Sequence, residues 1–173
     1  MIKLYVIIKS LLFPGTYLRC FYEQIVCRIC KIPVEDNRYL RDDEMSSHIE
    51  HELAPTAGKA FAICWIPHIL TLISGLLLGM IPVMVLFMLE VDDLLLTIFC
   101  AVCWWFAVSI FCSTFPSIED AINMREKVYK KAGFLQKILF TPGFIVTYIG
   151  AYAERYLVSF ILLVALTAVL VIC

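Results

Sequence analysis

Uncharged apolar blocks alternate with short charged connectors along this chain. Residues 61–89 carry no Asp, Glu, Lys or Arg, nor do residues 94–115, and 156–173 are eighteen further residues without a charge. Each block approaches the roughly 20 residues that cross a bilayer as a helix. The first is long for one crossing, and Pro67 and Pro82 predict a kink or a tilt within it. The last third is less regular. Thr141-Pro142-Gly143 predicts a break, residues 144–153 are then too short to span alone, and Glu154-Arg155 precede the terminal block. This pattern predicts a re-entrant or interfacial piece within 139–173 that leads into one final crossing. Tyr148, Tyr152 and Tyr156 recur every fourth residue, a face suited to the membrane interface.

The N-terminal third mixes charges into apolar sequence. An apolar run at 4–8 is interrupted by Lys9 and resumes at 11–13. With no small-x-small site after it, this run reads as mature structure rather than a signal peptide. Arg19 before Cys20 also makes a poor lipoprotein box. Phe13-Pro14-Gly15-Thr16 starts a second element, with Pro14 at an early helix position. Residues 17–32 then read as a half-buried helix that would dip into the membrane only against other helices. The fold class expected is all-α: a polytopic membrane protein with about three transmembrane helices plus a half-buried or re-entrant N-terminal helical pair. Residues 1–173 form a single domain, with 1–32 the N-terminal helical segment.

Composition sharpens this picture. The chain is 62% hydrophobic, well above the roughly half expected of a soluble domain. A net charge of −1 argues against nucleic acid as a partner. Connector 33–59 and its flanks carry Arg28, Lys31, Arg38, Arg41 and Lys59, and connector 116–137 carries Arg125, Lys127, Lys130, Lys131 and Lys137. Glu90-Val91-Asp92-Asp93 has no basic residue. The positive-inside rule therefore predicts a multi-pass cell-membrane protein with both basic connectors cytoplasmic and the acidic turn external. Residues 125–131 would meet anionic lipid headgroups. The acidic residues Glu35, Asp36, Asp42, Asp43 and Glu44, interleaved with Arg38 and Arg41, predict a solvated loop. Of the 8 cysteines, most lie in apolar blocks and read as small hydrophobes rather than a disulfide framework. Cys100 and Cys103, beside Trp104 and Trp105, read as core packing.

Three groups carry candidate chemistry. Arg19 and Glu23 stand one turn apart on a helix that is otherwise apolar, and ionisable groups at membrane depth are functional candidates. The bland alternative is an exposed i,i+4 pair worth a few tenths of a kcal/mol. Cys27 and Cys30, with His48 and His51, have some of the spacing of a zinc site, although His-x-x-His is tighter than usual. The alternative is two helix-face cysteines and a solvated His/Glu-rich connector. His68 follows Pro67 in the first block. It would either line a cavity and meet Asp120 or Glu23, or sit at the water-exposed end of its span.

The string Phe13-Pro14-Gly15-Thr16-Tyr17-Leu18-Arg19-Cys20-Phe21-Tyr22-Glu23 resembles the N-terminal helix of small site-2-protease-like membrane metalloproteases. In these a Phe-Pro-Gly-Thr start leads into the zinc motif His-Glu-x-x-His. His51-Glu52 followed by Pro55 resembles their polar connector, and Phe115-Pro116-Ser117-Ile118-Glu119-Asp120-Ala121 resembles their Phe-Pro-Ser-x-x-Asp-Ala segment. The likeness covers about residues 4–125. It places Arg19 and Glu23 at the two zinc histidines, Cys20 at the general base, and Asp120 at an acidic position suited to a third ligand. Arginine has no lone pair to give a metal, and the base is missing. The resemblance thus implies a non-catalytic, pseudoprotease-like protein without a metal cofactor. Its Arg19 would fill the former metal position beside Glu23 and Asp120, and a membrane protein or peptide would be its partner. Two alternatives stand beside it. One is an active zinc peptidase with altered ligands drawn from Cys20, Glu23, Asp120 and His68. The other is a structural or accessory membrane protein.

Overall fold

The computed structural model describes residues 2–36, 39, 49–88, 93–131 and 133–172. In chain order its elements are α1 (Ile2–Leu11), α2 (Phe13–Ile29), β1 (Val34–Asp36), β2 (Glu50–His51), α3 (Ala57–Pro82), α4 (Leu94–Phe111), α5 (Ile118–Glu126), α6 (Phe134–Arg155) and α7 (Val158–Ile172). π-helical segments, Val83–Met88 and Lys127–Lys131, extend α3 and α5. The protein is an all-α membrane protein. Among the described residues Ala57–Val85, Leu94–Phe111 and Phe134–Glu154 are long and apolar enough to cross a bilayer.

α3 and α4 form the central pair. The Thr56 hydroxyl caps α3 by accepting from the Lys59 amide, and the Asp93 carboxylate caps α4 by accepting from the Leu95 amide at 3.2 Å. Both caps satisfy backbone donors that a helix start leaves free. Pro67 and Pro82 lie inside α3, and the Thr71 hydroxyl donates to the Pro67 carbonyl at 2.7 Å. α2 lies in the groove between α3 and α4. Its Gly15 amide donates to Ser109 Oγ at 2.8 Å, and that hydroxyl donates onward to the Leu12 carbonyl at 2.6 Å. A Cβ on Gly15 would stand 2.0 Å from the Ser109 carbonyl oxygen. The glycine of Phe-Pro-Gly-Thr therefore marks where two helix backbones touch, rather than a turn. Just past the C-cap of α2, the φ of 53° at Lys31 lets the Ile32 amide reach back to the Cys27 carbonyl at 2.9 Å, as helix C-caps do.

The last third departs from the sequence expectation. Thr141-Pro142-Gly143 does not break the helix, because α6 runs through it and reaches spanning length itself. Proline removes one backbone donor, which helices packed among other helices tolerate. Gly143 is the contact point: a Cβ there would lie 2.6 Å from Trp65 Nε1 and 2.7 Å from the Phe61 ring. The break falls instead at Leu157, with φ 57°, between α6 and the shorter apolar α7. Glu154 does not flank a crossing in water. It turns inward to Lys9 Nζ at 2.7 Å and accepts from the Ser159 hydroxyl at 2.9 Å. α7 then follows α4, with Trp104 Nε1 donating to Thr167 Oγ1 at 3.1 Å. Tyr148 and Tyr152 do share a face, with ring centroids 4.8 Å apart.

Connector 33–59 is not simply solvated. β1 and β2 pair antiparallel, Val34 opposite His51 and Asp36 opposite Glu50. Ile49 and Ala54 on either side of β2 are fully buried. Ala54 joins Val26, Cys27, Ile63, Cys64 and Met124 in the apolar core that closes this end of the bundle. Two apolar anchors thus hold a polar strand against α2 and α5. Asp42, Asp43, Glu44, Arg38 and Arg41 lie outside the described residues.

Candidate functional site

Four ionisable side chains from three elements meet at the end of the bundle where the connector packs. α2 supplies Arg19 and Glu23, both on the face turned inward by the i,i+4 spacing. Their side chains are 5% and 0% exposed, and Arg19 Nε lies 3.7 Å from Glu23 Oε2. The exposed surface pair considered from the sequence is therefore a buried one. α5 supplies Asp120 from its first turn. Ser117 caps that helix: its hydroxyl accepts from the Asp120 amide at 3.1 Å and donates to Asp120 Oδ2 at 2.8 Å. The Ser-x-x-Asp spacing of the segment after α4 thus fixes one carboxylate oxygen and leaves the other, Oδ1, pointing at the cluster. A carboxylate in the first turn is also favoured by the partial positive charge of a helix N-terminus.

The fourth member is His51, on β2. Its Nε2 lies 3.2 Å from Asp120 Oδ1 and 3.6 Å from Glu23 Oε1. Its Nδ1 lies 2.9 Å from the Glu52 carbonyl, the donor position that leaves Nε2 to face the carboxylates. At 3.6 and 3.7 Å, Glu23 is held by charge rather than by hydrogen bonds, which need about 3.2 Å or less. Neither Glu23 oxygen nor Arg19 Nη1 or Nη2 has a hydrogen-bond partner among the described residues. Two cations therefore face two carboxylates in a space nearly closed to water. Asp120 pairs with His51, not with Arg19 as the sequence suggested.

Burial opposes the imidazolium of His51, but the hydrogen bond to Asp120 and then the nearby Glu23 carboxylate outweigh it and raise its pKa from 6.5 to about 11. For Asp120, burial favours the neutral acid, and the hydrogen bond and charge of His51 outweigh that, holding its pKa below 3.8. The two shifts set a pH window. A raised histidine stabilises the fold in full below its unfolded value of about 6.5, and that contribution vanishes as pH climbs through about 11. A depressed carboxyl contributes above 3.8 and is lost as pH falls below it. Thermal midpoints measured against pH for the wild type and His51→Gln should differ most between about pH 4 and 6.5. They should converge towards pH 11. A gap that stays constant over that range would show that His51 is not cationic in the folded protein.

The other candidate residues lie elsewhere. Cys20 is buried, and its Sγ is 4.0 Å from the Tyr39 carbonyl. Cys27 belongs to the apolar core, and His48 lies outside the described residues. Among the described residues the group of ligand-capable side chains within 4.8 Å of one another is Glu23, His51 and Asp120, without Cys27 or Cys30. His68 is buried, with Nδ1 3.2 Å from the Thr114 carbonyl and its ring 5.1 Å from Phe115. It joins an aromatic contact rather than the acidic pair. Cys100 and Cys103 are buried free thiols within α4. A groove of about 440 Å³ lined by Gln24, Arg28, Ile32, Val34 and Glu35 lies where α2 meets β1.

Set against family models, curated proteins and solved structures, the chain matches none.

Sequence reasoning did not place His51 with Glu23 and Asp120. A charge count held the signal: two carboxylates buried with one arginine require another cation, and His51 stands in one of the short strings that carried the resemblance.

Proposed function

We propose that this chain is a non-catalytic, pseudoprotease-like membrane protein that binds a membrane protein or peptide. The observation that carries the reading is the internal charge balance of Arg19, Glu23, His51 and Asp120. In a hydrolytic zinc site the carboxylates and imidazoles neutralise a metal ion, a fourth position stays open for water, and a base sits beside it. Here Arg19 and His51 supply the positive charge, and Cys20 rather than glutamate follows Arg19. A guanidinium beside the carboxylates raises the electrostatic cost of adding a divalent ion. The groove lined by Gln24, Arg28, Ile32, Val34 and Glu35 is the place proposed for a bound peptide. The positive-inside rule further places connectors 33–59 and 116–137 in the cytoplasm, so the partner segment is reached from that side.

Two measurements test this reading. Purified wild-type protein should carry no stoichiometric zinc. The triple variant Arg19→His, Cys20→Glu, Glu23→His should acquire it, because it restores both imidazoles and the base on one helix face with Asp120 opposite. A correctly folded triple variant that takes up no zinc would remove the family resemblance and the reading with it. A second reading has one specific observation in its favour. Glu23, His51 and Asp120 offer three ligand atoms within 4.8 Å of one another, with His51 oriented by the Glu52 carbonyl, as metal-binding histidines are oriented by a second hydrogen bond. Stoichiometric zinc in the wild type, lost in Asp120→Asn, would replace the first reading with this one.

A further inference from the structure

The outer face of α2 touches other elements at Phe13, whose ring lies 6.1 Å from Trp105 of α4, and at Tyr17, whose ring lies 4.6 Å from Tyr39 of the connector. Phe13, Tyr17, Phe21, Ile25 and Ile29 recur every fourth position and are all exposed. No charge interrupts this stripe before Arg28 and Lys31, both exposed, at the end of the helix. A continuous aromatic and aliphatic stripe of this size is not left to water in a monomeric protein.

The inner contacts of α2 fix its depth. Gly15 is bonded to Ser109 inside α4, and Tyr22 Oη lies 2.8 Å from Ser74 Oγ inside α3. The Phe13 ring lies 6.1 Å from the Trp105 ring of α4. Both α3 and α4 are candidate spans, and all three contact points fall within them. The outer face of α2 therefore continues the exposed apolar faces of those two helices, where Ile73, Leu76, Leu77, Phe99 and Val102 are also exposed. The cations of the N-terminal pair are withdrawn from this face. Lys9 turns to Glu154 and to the Cys112 carbonyl, each at 2.7 Å, and Arg19 turns to Glu23. Charges removed from the outer surface and returned only at the helix end are what a lipid-facing helix requires.

We infer that α2 is embedded in the bilayer, with Phe13, Phe21 and Ile25 against lipid acyl chains and Arg28 and Lys31 at the headgroups. At 1.5 Å per residue its 17 residues reach about 26 Å, and the helix carries Arg19 and Glu23 below the lipid surface. This placement is independent of the pseudoprotease reading.

Photo-crosslinking tests it. Benzoylphenylalanine replaces Phe21 or Ile25 one at a time, with Leu76 of α3 as a lipid-facing control, in phosphatidylcholine vesicles. After irradiation the intact mass should show a lipid adduct at both α2 positions, as at the control. A covalent dimer of the chain, or no adduct at Phe21 and Ile25 while the control yields one, overturns the inference. A second measurement needs no variant. In vesicles of the wild type, hydroxyl radicals generated in water should oxidise Phe21 far more slowly than Tyr129, which is exposed beyond α5. Equal rates would place α2 in water and overturn the inference.

Discussion

Gly15→Ala should unfold the protein or lower its thermal midpoint in detergent more than an ordinary overpacking substitution does. Added methylenes in a packed core usually cost roughly 1–3 kcal/mol, because side chains can shift to receive them. At Gly15 the obstruction is backbone. The added Cβ would lie 2.0 Å from the Ser109 carbonyl oxygen and 2.3 Å from its carbon, so α2 and α4 must separate. Separation breaks the Gly15 to Ser109 hydrogen bond and the Ser109 to Leu12 bond together. It also draws Arg19 and Glu23 away from His51 and Asp120, since all of α2 moves. A loss above about 3 kcal/mol follows. Two other glycines calibrate it. Gly143→Ala meets the Trp65 and Phe61 side chains at 2.6–2.9 Å, so it should cost about 1–3 kcal/mol as those rings shift. Gly58→Ala meets nothing within 4 Å in the first turn of α3, and should be neutral or gain up to about 1 kcal/mol in helix propensity. A Gly15→Ala protein as stable as Gly58→Ala would mean the two backbones do not touch.

The parts of the fold that were legible from sequence are those that one physical variable decides. The runs that became α3 and α4 are uncharged over a membrane thickness, and bilayer solvation leaves such segments only a helix. The helical pair before them was legible because Lys9 and Phe13-Pro14-Gly15 interrupt an otherwise apolar stretch. α6 was misread because Pro142 and Gly143 are breakers only in isolation. Packed against Phe61 and Trp65, the glycine is a contact and the proline is tolerated. The positive φ that does end α6 falls on Leu157, a residue with no turn propensity. The cluster was half legible. Helical spacing put Arg19 and Glu23 on one face, and the resemblance of the Phe-Pro-Ser-x-x-Asp-Ala string singled out Asp120. His51 lies 28 positions after Glu23 and 69 before Asp120. No local periodicity links it to either, so only the tertiary course of the connector brings them together.

Arg19→Ala should destabilise the protein by about 3–5 kcal/mol, and adding Glu23→Ala should recover a large part of that loss. The sign of the second effect is the discriminating result. Two unit charges near 4 Å attract by about 4 kcal/mol at an effective dielectric of 20, while each buried ion loses several kcal/mol of hydration. The Arg19–Glu23 pair is therefore close to break-even as a whole, and costly only when halved. In the single variant Glu23 stays fully buried, with no hydrogen bond among the described residues and with His51, at 3.6 Å, already committed to Asp120 at 3.2 Å. One imidazolium then faces two carboxylates, and an uncompensated buried charge carries the penalty. Removing Glu23 as well leaves the His51–Asp120 pair neutral and intact, at the cost of a small cavity. Glu23→Ala alone should be the intermediate case, since it strands Arg19, whose long side chain can move its charge towards solvent. Thermal midpoints in one detergent, or urea titrations, give the cycle directly. If the double variant equals or falls below the Arg19→Ala protein, the two residues do not neutralise each other and the charge-replacement account of this site fails. A double variant that recovers stability would establish Arg19 as the resident cation of Glu23.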